Sequence, residues 1–226
     1  MPPRPTPPAL APEAAASSPA PDLARGVTPD TAPELMAEIL RDLFAARDSG
    51  GLARALERLA ACGAEDGGAG GSRPDGEAPR RAPLFPEAEY AFNRLFVGPD
   101  HVPAPPYASV YLDADPLLMG RATASMRELF RSLGLAVREE DNLPEDHLAC
   151  ELEAWLVLRS LAGTKDATLR QNVEEALVWL VDGHMRLWIP QFLSRARAEA
   201  VPEALSGALN RLEAWLERAG SELNRA

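Results

Sequence analysis

Large apolar side chains are almost missing from the first 29 positions and then return at helical spacing. Leu35, Met36, Ile39, Leu40, Leu43 and Phe44 recur three and four apart. That period predicts a helix beginning near Asp30, with Pro33 and Glu34 in its first turn and Gly50-Gly51 as its stop. Leu52, Leu56 and Leu59 mark a short second helix. Positions 63–83 are rich in Gly, Pro, Arg and Asp and read as a flexible insertion. A third helix is expected from Pro86 through Phe96, carrying Tyr90, Phe92, Leu95 and Phe96, with Val97-Gly98-Pro99 as a Gly-then-Pro stop. His101 to Pro106 holds three prolines and reads as an extended loop. Ser109 to Asp113 alternates like a strand, but no partner strand exists, so extended chain or a helical turn over the core is expected. Further helices are predicted over 119–133, closed by Gly134, over 166–186, and over 202–218. Pro190 should force a bend or a fresh start between the last two.

The stretch Asn142 to Trp155 organises the rest. Leu143 precedes a proline and is biased away from helix, while Pro144, Glu145 and Asp146 suit a first turn. A helix from about 144 to 162 follows. Leu148, Leu152, Trp155, Leu156, Val157, Leu158 and Leu161 spread around most of its circumference, the mark of a helix buried among others. Asp146 and His147 should then lie where that central helix emerges at a surface, a suitable place for a binding site. The expected fold is all-α. It is a single-domain helical bundle over 30–220 around a central buried helix, with a disordered Pro/Ala-rich tail at 1–29.

Composition narrows the function. A 46% hydrophobic content supplies a core, and a net charge of −11 with pI near 4.8 argues against nucleic acid or anionic membrane as partner. The same balance favours a cationic partner. Cys62 and Cys150 form no CxxC or Cys/His cluster, so neither a disulfide framework nor zinc is indicated. No membrane-spanning run and no secretory leader are recognisable, and a cytoplasmic protein without an integral membrane segment is expected.

Chemistry has no obvious seat. Adjacent helical residues point about 100° apart, so Asp146 and His147 cannot orient one another as a catalytic pair. His147 and Glu151 share a face at i,i+4, either as an ion pair or as half a metal site, with His101 and His184 as the remaining histidines. Cys150 lies among apolar residues that raise a thiol pKa, and neither G-x-S-x-G nor a nucleotide loop is present. A small metal- or nucleotide-dependent hydrolase using Asp146, His147 and Glu151 is the remaining enzyme reading. Tyr90, Phe92, Phe96, Tyr107 and Tyr111 read as core, although Tyr107 and Tyr111 flank a proline-rich loop where aromatics often line peptide clefts. His184 and Trp188 likewise read as core.

Four separated motifs, in order, resemble one family. These are Arg94-Leu-Phe-Val-Gly-Pro99, Pro105-Pro-Tyr-Ala-Ser-Val-Tyr-Leu-Asp113 with Gly120, Pro144-Glu-Asp-His147, and the His-x-x-x-Trp-x-Pro-x-Phe pattern of His184, Trp188, Pro190 and Phe192. Together they resemble the TorD/DmsD/NarJ chaperones, closest to the DmsD/TorD branch, over about residues 30–218. Tyr107 stands where a Trp is common, and Asp100 where the DmsD branch has an aromatic. The resemblance implies a non-enzymatic cytoplasmic chaperone with no cofactor of its own. Its expected partner is the catalytic subunit of a molybdenum oxidoreductase of the DMSO-reductase class, together with that subunit's twin-arginine signal peptide. Binding would delay export until the client's cofactor is inserted, with transient contact to the Tat translocase and a role in anaerobic respiration. By position, signal-peptide contacts fall on Leu95, Phe96, Pro106, Tyr107, Gly120, Pro144, Asp146 and His147. Within the family, a NarJ-like assembly factor is the alternative. A cationic-then-apolar peptide would complement a carboxylate beside an aromatic groove, so Asp146 and His147 are expected to serve binding more than the fold.

Overall fold

The computed structural model describes residues 6–8, 32–66, 86–99, 101–113, 119–137 and 143–223. Most of the expected tail, and the 63–83 insertion beyond Asp66, lie outside the described residues. The fold is all-α. Helix α1 (Ala32–Phe44) is followed by α2 (Ser49–Asp66), α3 (Pro86–Phe92) and the short α4 (Ser109–Leu112). Then come α5 (Arg121–Ser132), α6 (Leu148–Leu161), α7 (Ala167–Leu180), α8 (Arg186–Arg197) and α9 (Glu203–Leu223). The β feature among the described residues is a single antiparallel bridge between Tyr107 and His147.

Helix α6 is central, as its all-round apolar pattern predicts. Leu148, Leu152, Ala154, Trp155 and Leu158 are completely or almost completely buried. Helix α1 lies along it and also touches α2 and α9, while α7 packs on another side. Trp155 of α6 meets Trp215 of α9 edge-on at 5.1 Å. Fully burying a side chain of the Leu or Phe class contributes roughly 1.5–3 kcal/mol, so α6 is where the bundle's stability concentrates. Ion pairs seat the amphipathic helices around it. Arg41 of α1 reaches Glu153 of α6 at 2.6 Å, and Arg58 of α2 grips Glu38 and Asp42 of α1 at 2.7 Å each.

Several boundaries differ from the expectation for identifiable reasons. Gly50-Gly51 does not stop a helix; both lie in the first turn of α2. Asp48 takes the capping role, accepting from Gly51 N at 2.7 Å. Helix α2 is not short, and its last turn includes positions 63–66, the start of the expected insertion. Residues 93–97 and 181–185 form single π-turns that extend α3 and α7. Pro190 does not force a fresh start: it sits inside α8, which continues from the second π-turn through helical backbone at Met185 and Arg186. Tyr90 is 72% exposed, on the side of α3 away from the buried Ala88, Ala91 and Phe92.

Of the expected 1–29 tail, Thr6, Pro7 and Pro8 are described, and Pro7 is buried.

Candidate functional site

The central helix does not begin at Pro144. Pro144 to Asp146 form a turn closed by His147 N donating to Pro144 O at 3.0 Å, and His147 is the N-cap of α6. Asp146 therefore stands outside the helix, and it does not emerge at a surface: it is 0% exposed. Its carboxylate joins three elements. Oδ2 accepts from Ser109 N at 2.8 Å, at the start of α4, and Oδ1 accepts from Thr123 Oγ1 at 2.7 Å on α5. The Asp146 backbone carbonyl also accepts from Ala108 N at 3.0 Å. The first N–H groups of a helix have no partner of their own, so a carboxylate at the start of α4 answers a local need and stabilises that end electrostatically.

His147 is buried as well. Its Nδ1 accepts from Ala149 N at 3.2 Å, which satisfies one of the orphan N–H groups of α6. Leu148 N, another of them, donates to Pro106 O at 2.9 Å. The proline-rich loop is thus fixed onto the start of the central helix, and the Tyr107 and His147 rings meet edge-on at 4.9 Å. Burial, with the Arg47 charge nearby, lowers the His147 pKa to about 3, so the ring stays neutral. Burial raises the Tyr107 pKa, and the charge of Asp146 adds to the effect.

Glu151 does not pair with His147. It is fully buried one turn further along α6, where Oε1 lies 2.7 Å from His184 Nε2 and Oε2 accepts from Trp188 Nε1 at 3.0 Å. The π-turn and the start of α8 place His184 and Trp188 four residues apart, both reaching the one carboxyl group. Burial pushes the Glu151 pKa up, while His184 and Trp188 oppose the shift. The Trp179 ring stacks on His184 at 5.3 Å, and Tyr111 stacks on Trp188 at 5.6 Å. Asp146, His147 and Glu151 are each committed to hydrogen bonds elsewhere in the fold, and no bond joins one of these three side chains to another. Among the described residues no group of three or more His, Cys, Asp and Glu side chains could hold a metal ion.

The other sequence-predicted site residues divide by exposure. Leu95 and Phe96 are core; Phe96 meets Phe44, Phe92 and Phe192 with ring centroids 5.3–5.7 Å apart. Pro106 is buried, whereas Tyr107, Gly120 and Pro144 are partly exposed. Gly120 is the N-cap of α5 with extended backbone, so its need for glycine is steric. A Cβ there would collide with Asp113 Oδ2 and lie 3.0 Å from Asp113 Cγ. Asp113 occupies that space to accept from Ala122 N at 3.3 Å, capping α5 from outside the helix. Glu145, beside Pro144, holds Arg127 in a two-pronged pair at 2.7 and 2.9 Å. Glu145's burial raises its pKa, but Arg127 more than offsets this and the net shift is downward. The bonds of Ser109, Thr123 and Asp113 were not readable from the sequence, although Ser109 and Asp113 lie within the Pro105–Asp113 motif. Their partners lie 37, 23 and 9 residues away, and no local spacing signals such contacts.

Among the described residues no helix is long and apolar enough to cross a membrane. Residues 46–194 match the family described as nitrate reductase delta subunit. A stretch of 105 residues is 34% identical to the Tat proofreading chaperone DmsD of Salmonella typhi, covering 46% of each chain. A stretch of the same length is 35% identical to the chaperone protein TorD of Vibrio cholerae, covering 46% of this chain and 47% of that one. The probable Tat proofreading chaperone DmsD of Haemophilus influenzae is 29% identical over 104 residues, 46% of each chain. The chain spans about half the length of the curated relatives it matches.

Proposed function

Because the chain belongs to the nitrate reductase delta subunit family, we propose that it is a maturation chaperone for a redox enzyme. In this reading it binds the twin-arginine signal peptide and immature catalytic subunit of a molybdenum oxidoreductase in the cytoplasm. It holds the client back from the Tat translocase until the client's cofactor is inserted, and it has no catalysis of its own. The observation that carries this is the 34% identity, over 105 residues, to a protein named as a Tat proofreading chaperone.

The proposed contact surface is the partly exposed trio Tyr107, Gly120 and Pro144, around the start of α6. Behind it Leu95, Phe96, Pro106, Asp146 and His147 form a rigid frame. Their contribution to binding is to hold Tyr107 and the proline-rich loop in one conformation before the peptide arrives, which reduces the ordering cost of association. A peptide with a cationic end and an apolar segment suits an aromatic- and proline-bearing surface on a protein of net charge −11.

A second reading, a NarJ-like assembly factor acting on folded client, draws support from the burial of Asp146. Both oxygens of that carboxylate are committed to protein donors, so a peptide arginine must find another acid.

Calorimetry with the signal peptide of the co-purifying oxidoreductase separates the two. The chaperone reading expects a Kd of roughly micromolar, about −8 kcal/mol, weakened by salt and by Arg-to-Lys substitution in the peptide. Tyr107→Ala should lower affinity with no comparable loss of thermal stability. Absence of peptide binding by a protein that still captures the mature subunit would move the assembly-factor reading ahead.

A further inference from the structure

The sequence gives the N-terminal segment no part in the fold, yet three of its residues lie against the bundle and form one wall of a groove beside α7 and the end of α9. Thr6 and Pro8 line a groove of about 740 Å³ with Glu174, Glu175, Val178, Trp179, Asp182 and Leu223, and Pro7 between them is buried. We propose that this groove is a binding site for an extended proline-rich segment, and that its resident ligand is the chain's own Thr6-Pro7-Pro8.

Three observations carry the proposal. The first is the match of chemistry. Thr-Pro-Pro is pre-set for the polyproline conformation, which has little conformational freedom left to lose on binding. Such segments dock in grooves lined by aromatic and apolar side chains, here Trp179, Val178 and Leu223. The second is charge. Glu174 and Glu175 line the groove beside Asp182, which already pairs with Arg186 at 3.2 Å, and Arg4 stands two residues before Thr6 in the sequence.

The third observation is reach. Arg159 of α6 pairs with Glu34 at 2.7 Å and with Glu222 at 3.6 Å, so the start of α1 lies beside the end of α9. Leu223, the last residue of α9, is itself part of the groove. The chain therefore enters its folded domain next to the site that its own N-terminal residues occupy. The 23 residues from 9 to 31 could span at most about 75–80 Å, far more than this geometry needs. A ligand tethered on a linker of that size is present at an effective concentration on the order of millimolar, enough to fill a weak site continuously. Val178 is still 46% exposed with the segment in place, so the groove stays open alongside the three residues that wall it.

The test uses the full chain. Substituting Pro5→Gly, Pro7→Gly and Pro8→Gly together removes the pre-set conformation and should release the segment from the groove. The indole N–H resonance of Trp179, assigned with Trp179→Phe, should then move, and backbone amides of 178–183 should exchange faster. Adding a peptide of residues 2–10 should return the Trp179 signal toward its original position. The unsubstituted chain should respond about tenfold or more weakly to the same peptide, because its own segment competes. Adding Val178→Lys to the triple-glycine chain alters a half-exposed side chain at the site, and should abolish the peptide response with helical circular dichroism unchanged.

An unmoved Trp179 signal in the triple-glycine chain would overturn the proposal. So would an equal peptide response in both chains. A dimer that dissociates on glycine substitution would also overturn it, by assigning the segment to a second copy.

Discussion

Removing the Asp146 carboxylate should destabilise the fold before it does anything else. In Asp146→Ala, the Ser109 N–H and the Thr123 hydroxyl lose their acceptors in a site closed to water. Each stranded donor costs roughly 1–3 kcal/mol, partly offset because no buried charge remains. The net expectation is about 2–5 kcal/mol, or a fall in Tm on the order of 4–20 °C for a domain of this size. Asp146→Asn is milder. Its amide oxygen still accepts from Ser109 N, and its amide nitrogen donates to Thr123 Oγ1 once the hydroxyl turns around. What is lost is the charge assistance of two bonds, together about 1–2 kcal/mol. Thr123→Val alone should cost a similar amount, and the double variant Asp146→Asn/Thr123→Val should fall short of additivity by about 1 kcal/mol. Urea denaturation of the four variants with a common m-value measures all of this. A cost below about 1 kcal/mol for Asp146→Ala, or equal costs for Ala and Asn, would refute the hydrogen-bond reasoning.

Two further outcomes follow from the same region. The pKa of His147 is about 3 in the folded chain, against about 6.5 unfolded, so between those values the unfolded state binds the extra proton and stability falls as pH drops, by up to ~1.4 kcal/mol per pH unit. His147→Asn keeps an N-cap acceptor and does not titrate, so its stability should vary less with pH between 6 and 4; parallel curves for the two proteins would count against burial as the cause. Gly120→Ala should cost about 1–2 kcal/mol by displacing Asp113 from the start of α5. The added substitution Asp113→Ala should then cost almost nothing more, and a full additional loss would separate the two residues.

The helices were legible because their buried faces repeat with the helical period, and α6 was legible as central because it has no polar face. What could not be read was everything set by contacts distant in sequence. Pro144, Glu145 and Asp146 carry every local sign of a first helical turn, and the local preference favours one. The alternative wins because a turn there delivers the Asp146 carboxylate to Ser109 and Thr123 and places Leu148 N against Pro106 O. Those bonds satisfy the starts of two helices, which outweighs the few tenths of a kcal/mol that an exposed acid gains from the dipole. The π-turns were illegible for a different reason: one extra residue in a five-residue stretch leaves no periodic signature. The exposure of Tyr90 was readable, since it lies about 200° around α3 from Phe92.

Three polar residues of the family resemblance, Asp146, His147 and His184, and Glu151 beside them, serve the fold. Asp146, His147, Glu151 and His184 are each buried and each hydrogen-bonded within the chain. A sequence pattern of acids and histidines cannot distinguish a ligand site from such a frame, because both need the same donors and acceptors. Burial and occupancy decide it. A carboxylate holding two short bonds at zero exposure has little left to offer an incoming arginine without losing what it holds. In the proposed chaperone reading, partner-facing chemistry then falls to residues the pattern marks less loudly. Tyr107 is one, partly exposed with its ring set edge-on against His147. Glu145 is another, since a client arginine of suitable reach would compete with the more exposed Arg127 for its partly exposed carboxylate. An exchange of one arginine for another conserves charge and bond count, so it costs far less than opening Asp146. Under the proposed chaperone reading, recognition of a cationic segment would therefore fall at Glu145, one residue before the acid that the motif draws attention to.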